Sequence, residues 1–319
     1  RIPTWNYDPD TLLKEPDAYV GLCNQGGTCY MNSFIQQLFH IPAFKTGLLR
    51  INAAAKTAKD ATSNNSLEEK PDPNVELLFQ LQVMFGFMNF SQKRYYDTLP
   101  FCRTFLDYDA EPISLTEQKD INEFAGMLFD KIEHNKEAAA LLASTIQGKI
   151  VWRTRSLETP YKSEREETFY MLTAEVKDKA TLEDSLELFT ADELFSGDNK
   201  IEDAEAGRKV DALRGCAIRS LPPTLIIHLK RFEFDLETMN RKKVNDHISF
   251  PTNLNMFPYT EEGLQAKEDK LRASDPSSAT SDGSSDESPE ANEDATPTTP
   301  STTSASRKAE SHYQYALKG

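Results

Sequence analysis

The apolar residues of this chain change period near residue 145, and that change limits the folds open to it. Before it, apolar side chains recur at helical spacing. Met31, Phe34, Ile35 and Leu38 fall at i, i+3, i+4 and i+7 within Thr28–His40. Leu78, Leu81 and Phe85 repeat the pattern within Val75–Phe87, as do Ile121, Phe124, Leu128 and Ile132 within Asp120–His134. Each run predicts a helix with one buried face. Beyond the change, residues 145–178 are richer in Thr, Val, Tyr and Ile, with turn signals at Gly148 and Pro160. Thr168–Val176 alternates at period two, the mark of a strand. Leu225-Ile226-Ile227-His228-Leu229 follows Pro222-Pro223 as a short apolar run and reads as a buried strand. Thr181–Leu194 reads as one later helix, closed by a turn at Ser196-Gly197-Asp198-Asn199. Helices first and strands afterwards predict an α+β protein.

At 319 residues and 38% hydrophobic, the chain can bury a sizeable core. Two stretches do not contribute to it. Ala53–Pro73 is polar and reads as a loop. Residues 266–310 are Ser, Thr, Asp, Glu, Pro and Ala with almost no apolar bulk, too little to offset the entropy of ordering them. Tyr313, Tyr315 and Leu317 then resume a strand-like alternation, so the polar stretch reads as a disordered insertion inside a folded domain. No apolar run reaches the 18 residues of a membrane span, and Arg1–Tyr7 has no apolar signal-peptide segment.

A formal net charge of −15 repels nucleic-acid phosphates and favours a protein partner. Cys23, Cys29, Cys102 and Cys216 are scattered, with no C-x-x-C pair. Free thiols in a reducing compartment are expected, intracellular, in cytoplasm or nucleus. No four-cysteine metal site is expected.

The chemistry is concentrated in Gly21-Leu-Cys-Asn-Gln-Gly-Gly-Thr-Cys-Tyr-Met-Asn-Ser33. The Gly26-Gly27 turn puts Cys29 at the start of a helix. Free N–H groups and partial positive charge there stabilise a thiolate and can hold a tetrahedral oxyanion. Asn24 lies where its side-chain amide adds a donor across the turn. A cysteine taken singly is more often a small buried hydrophobe. Cys23, with no helix following it, reads as structural.

This segment closely resembles the cysteine box of the ubiquitin-specific proteases, Gly-Leu-x-Asn-x-Gly-x-Thr-Cys-Tyr-Met-Asn. The resemblance implies that Cys29 is a nucleophile and Asn24 an oxyanion donor. Gln118-Lys-Asp-Ile-Asn-Glu-Phe124 is similar to the family's Gln-Gln-Asp-Ala-x-Glu-Phe helix start, which borders the channel for the ubiquitin tail. It implies that Gln118 and Asp120 bind that tail. Asp120 would meet an arginine, or would act only as a helix N-cap. Leu182–Asn199 resembles the segment before the second half of the family's zinc ribbon. His228-Leu-Lys-Arg-Phe232, Asn245 and Phe250-Pro251 resemble its Leu-Lys-Arg-Phe region, which makes His228 a packed residue and not a base. His40, His134 and His247 carry no motif. Asn255-Met-Phe-Pro-Tyr-Thr260 is similar to the large fat-facets-related subgroup.

By resemblance the fold is papain-like. After a lead-in over 1–19, a helical thumb occupies 20–140, a β-rich finger region 141–215 and a partial palm 216–319, which contains the insertion. The implied activity is thiol-dependent hydrolysis at the ubiquitin C-terminus, with ubiquitin and ubiquitinated proteins as partners and no cofactor. Two departures stand out. The family's zinc-binding cysteines align near Val151–Arg155 and at Asp203 and Ala206, and all are missing, so no structural zinc is expected. The family's base sits in a Gly-His-Tyr motif. Ser311-His312-Tyr313 matches it superficially, but Tyr313–Gly319 resembles the strand before that motif. The catalytic His and its Asp or Asn partner are therefore expected beyond residue 319, and the chain alone should be nearly inactive, since base assistance contributes ~10²–10⁴-fold. The alternatives are an inactive ubiquitin-binding module, or a cysteine protease for a ubiquitin-like modifier.

Overall fold

A computed structural model of the chain describes residues 13–52, 72–235, 239–274 and 310–318. The helical periodicities of the first half become α1 (Cys29–Phe39), α3 (Pro73–Phe90) and α5 (Ile121–Ile132). Two short helices, α2 (Pro42–Leu48) and α4 (Leu99–Thr104), each begin with a proline in the first turn, where its missing N–H costs nothing. They are too short for a period to reveal. A further helix, α6 (Lys136–Thr145), is capped by Asn135, whose Oδ1 accepts from the N–H groups of Glu137 and Ala138.

The buried faces of these helices form one core. Phe124 of α5 stands edge-on to Tyr30 and Phe34 of α1, and Phe34 also meets Phe129. Phe85 of α3 meets Phe39 and Phe44. Such rings each bury large apolar areas and add a modest geometric preference of their own. This core fixes α1 against α5, and so sets the start of α1 near the start of α5.

The second half supplies the sheets. An antiparallel sheet has the order β4 (Lys162–Phe169), β3 (Gly148–Ser156), β9 (Ala212–Ser220) and β6 (Glu193–Phe195). Beside it, β5 (Met171–Glu175) pairs in parallel with β10 (Ile226–Lys230), so that His228 stands opposite Thr173. A hairpin joins β7 (Ile201–Asp203) to β8 (Arg208–Val210). The mixture of helix and sheet agrees with the α+β expectation.

Three expectations are corrected. The helix read over Thr181–Leu194 is α7 (Leu182–Thr190), and Glu193–Phe195 is the edge strand β6. A capping box at Thr181 and Asp184 starts it, but Ala191 is already extended, and pairing with β9 claims the residues after it. The strand read over Thr168–Val176 is broken at Tyr170, which divides β4 from β5. The disordered insertion does not begin at 266. Helix α8 (Glu261–Ser274) runs through that point. Glu261 and Glu262 suit its N-terminus, and Arg219 of β9 grips Glu261 through two guanidinium nitrogens at 2.7 and 2.9 Å. The rest of the insertion, 275–309, lies outside the described residues, as do most of the 1–19 lead-in and the loop over 53–71. Past the insertion, β14 (Gln314–Ala316) pairs antiparallel with β13 (Asn253–Asn255), as the returning alternation predicts.

Candidate active site

Gly26 has φ 118°, a backbone conformation that residues with a Cβ rarely adopt. It also lies against the segment before α5. A Cβ there would stand 2.5 Å from the Leu115 carbonyl oxygen. The Gly27 N–H donates to that same oxygen at 2.6 Å. The glycine pair thus does two things. It turns the chain into α1, and it lets the 115–117 backbone approach to contact distance.

Cys29 is the first residue of α1 and is exposed. Behind it, Thr28 is fully buried. The Thr28 hydroxyl accepts from the Gln25 N–H at 2.9 Å and donates to Asn24 Oδ1 at 2.9 Å, while the Thr28 N–H donates to the same oxygen at 3.1 Å. The Asn24 oxygen is therefore occupied. Its NH2 group has no acceptor among the described residues and sits on an exposed side chain, ready to donate. Cys23 has a different setting. Its backbone carbonyl accepts from Asn32 Nδ2 at 3.1 Å and from the Thr98 hydroxyl at 2.8 Å, and its N–H bonds to Tyr96. Its place is structural, as its sequence context implies.

The other two thiols are buried. Burial pushes Cys102 up to about 11 and Cys216 to about 12, which leaves them protonated and inert.

Gln118 and Asp120 both lie at this site, in different settings. Gln118 Nε2 donates to Cys29 Sγ at 3.3 Å. Asp120 caps α5, accepting from the Asn122 N–H at 2.7 Å. The same Oδ1 lies 3.7 Å from His228 Nε2. His228 is half-buried, as expected of a packed histidine, and its Nδ1 has no hydrogen-bond partner among the described residues. Burial holds its pKa below the ordinary value against the opposing pull of Asp120. The contact between His228 and Asp120 has no signal in the sequence, because it depends on where β10 lies relative to the start of α5.

No histidine, His228 included, bonds to Cys29 among the described residues. His40 packs edge-on against Tyr19, His134 contacts the Asp130 carbonyl at 2.9 Å, His247 is exposed, and His312 is exposed beside Tyr313.

Residues 20–319 match the family model of ubiquitin carboxyl-terminal hydrolases. The chain belongs to this family. It is 32% identical to mouse ubiquitin carboxyl-terminal hydrolase 9X over 299 residues, 84% of this chain and 12% of that protein. It is 33% identical to mouse ubiquitin carboxyl-terminal hydrolase 34 over 267 residues, 83% of this chain and 7% of that protein. A probable ubiquitin carboxyl-terminal hydrolase FAF of Drosophila melanogaster is 28% identical over 303 residues, covering 84% and 11%. The chain thus spans about an eighth or less of the length of these relatives.

Membership of the hydrolase family gives the far end of the sheet its interest. Val151–Arg155, read from sequence as one site of missing metal ligands, is mid-strand and bonded to both β4 and β9. The turn that faces Asp203 is instead Ser156–Tyr161. There the Thr159 hydroxyl donates to Asp203 Oδ2 at 2.7 Å, and Ser156 Oγ accepts from the Glu158 and Thr159 N–H groups. Asp203 Oδ1 accepts from the N–H groups of Glu205 and Ala206. Neutral and anionic oxygen groups hold these two turns together. No cluster of three or more His, Cys, Asp or Glu suited to a metal occurs among the described residues.

Proposed function

We propose that this chain carries the nucleophile and the ubiquitin-tail channel of a cysteine-type deubiquitinase, with Cys29 attacking the terminal carbonyl of ubiquitin. The observation that carries the reading is an exposed sulfur at the first residue of α1, one residue after the Thr28 that already holds the side-chain oxygen of Asn24. The Sγ–C bond forms as the carbonyl π pair moves to oxygen. Asn24 Nδ2 and the N–H groups at the start of α1 receive that charge. Collapse of the intermediate breaks the C–N bond, and the lysine amine leaves with a proton taken up from solvent, which balances the one that Cys29 lost on ionising. Water then attacks the thioester, releasing ubiquitin and returning the thiol.

In this reading residues 20–140 form the thumb, 141–215 the fingers and 216–319 the palm of a papain-like hand. The ubiquitin tail passes between the α5 start and β10, with Gln118 beside the reacting carbonyl and Asp120 facing an arginine of the tail. Ubiquitin and ubiquitinated proteins are the partners, and nucleic acid is not. Four free cysteines among the described residues suit a reducing intracellular compartment, cytoplasm or nucleus.

Ubiquitin bearing a C-terminal vinyl electrophile tests the reading without requiring turnover. A covalent adduct at Cys29, lost in Cys29→Ala, is the expected result. Tight ubiquitin binding without an adduct would make the chain a binding module. Adducts formed only with a ubiquitin-like modifier would change the substrate class.

A further inference from the structure

The geometry points to Gln118 as a catalytic residue that stabilises the ionised Cys29 sulfur, a role distinct from holding the ubiquitin tail. The inference rests on the reading of Cys29 as the nucleophile. Its carboxamide is the one side-chain donor aimed at Sγ among the described residues, at 3.3 Å. A thiol is a weak acceptor and a thiolate a strong one, so an N–H directed at sulfur favours the ionised form. On ionisation the S–H proton passes to solvent. The sulfur keeps both electrons, and Nε2–H faces the resulting charge.

Both side chains are exposed, and the fold sets the approach of the backbone that carries Gln118. Gln118 is far from Cys29 in sequence. The approach of its backbone is set by the glycine turn, through the Gly27 N–H bond to Leu115 and the closeness of Gly26 to that same carbonyl. Two residues further on, Asp120 is fixed as the cap of α5. The segment is thus held at both ends, one against the nucleophile's own turn and one on the helix that packs beneath α1. Asn24 is tied to Thr28 from the other side, and its free NH2 is left for an oxyanion. The two carboxamides therefore divide the work: Gln118 serves the charge on sulfur before attack, and Asn24 serves the charge on oxygen after it.

The test is the pH dependence of iodoacetamide alkylation at Cys29, read by peptide fragmentation so that Cys23 is scored separately. It uses no ubiquitin, so it can fail while the deubiquitinase reading stands, and the reverse. Gln118→Met keeps the length and bulk but removes the donor. It is expected to move the pH of half-maximal alkylation up by about one unit, slowing the reaction near neutrality about tenfold. Gln118→Glu places a carboxylate against the sulfur and should move it further in the same direction. Cys23 should alkylate at an unchanged rate in both variants, which excludes general unfolding. A Gln118→Met profile that overlays the wild type overturns the proposal. So does a Gln118→Glu profile no higher than that of Gln118→Met.

Discussion

The Asp120 carboxylate and the His228 imidazole face each other at 3.7 Å, joining the start of α5 to the middle of β10. The pair spans the two halves of the molecule, where the proposed ubiquitin-tail channel would run. Asp120 has two duties there. It caps a helix, which an asparagine can also do, and it presents negative charge, which an asparagine cannot.

Asp120→Asn should therefore separate the two duties. Urea unfolding is expected to change little, because Asn retains the oxygen that accepts from the Asn122 N–H. Affinity for ubiquitin, measured by titration calorimetry on the Cys29→Ala background, should fall about tenfold, the size of one lost charge-assisted bond at a partly exposed site. Equal affinity would leave Asp120 as a cap alone.

His228 makes stability depend on pH in a stated direction. Burial lowers its pKa in the folded protein, whereas the unfolded chain takes up a proton near the ordinary value of about 6.5. Below that pH the unfolded state binds more protons, so stability falls as the pH drops and is level above it. Chemical denaturation at several pH values from 5 to 8 should show this slope, and His228→Gln should flatten it.

Gly26→Ala should cost stability twice over, through a positive φ and through the Cβ contact of 2.5 Å with the Leu115 carbonyl. The expected loss is about 1–3 kcal/mol in urea unfolding. Because the displaced backbone carries Gln118, the variant should also slow alkylation of Cys29.

Asp203 links the turn between β7 and β8 to the turn between β3 and β4. Its carboxyl is held below the ordinary range, first by the Thr159 hydroxyl and then by the backbone N–H groups of Ala206 and Glu205. The stabilisation is present above the unfolded carboxyl value and is lost as the pH falls through the folded one. Thr159→Val should lower the thermal midpoint at neutral pH, with a smaller difference in acid. Hydrogen exchange should quicken first over 156–161 and 201–210.

At neutral pH iodoacetamide should modify Cys29 in the native protein and leave Cys102 and Cys216 untouched until unfolding. Burial raises both of those thiols to about 11 and about 12 and closes access to them. Mass spectrometry before and after urea checks this.

Much of the site was legible in the chain. The apolar period marked α1, α3 and α5. The glycine pair marked the turn ahead of Cys29, and the cysteine box carried the family. Readings failed where periodicity carries no boundary. Thr181–Leu194 looked uniform, yet only its first part is helical, because β9 was available to pair with Glu193–Phe195. Helix α8 crosses into a stretch whose composition reads as disordered, since Arg219 and the acidic first turn hold its beginning.

Local spacing by itself determined that Cys29 would stand at a helix start and that Asn24 would lie across a turn from it, because both relations close within a few residues. Tertiary structure alone decided that Gln118 donates to the sulfur, that His228 faces Asp120, and that Thr159 meets Asp203. Those contacts join residues distant along the chain. Their geometry follows from which faces the helices and strands bury against one another, and no local pattern encodes it.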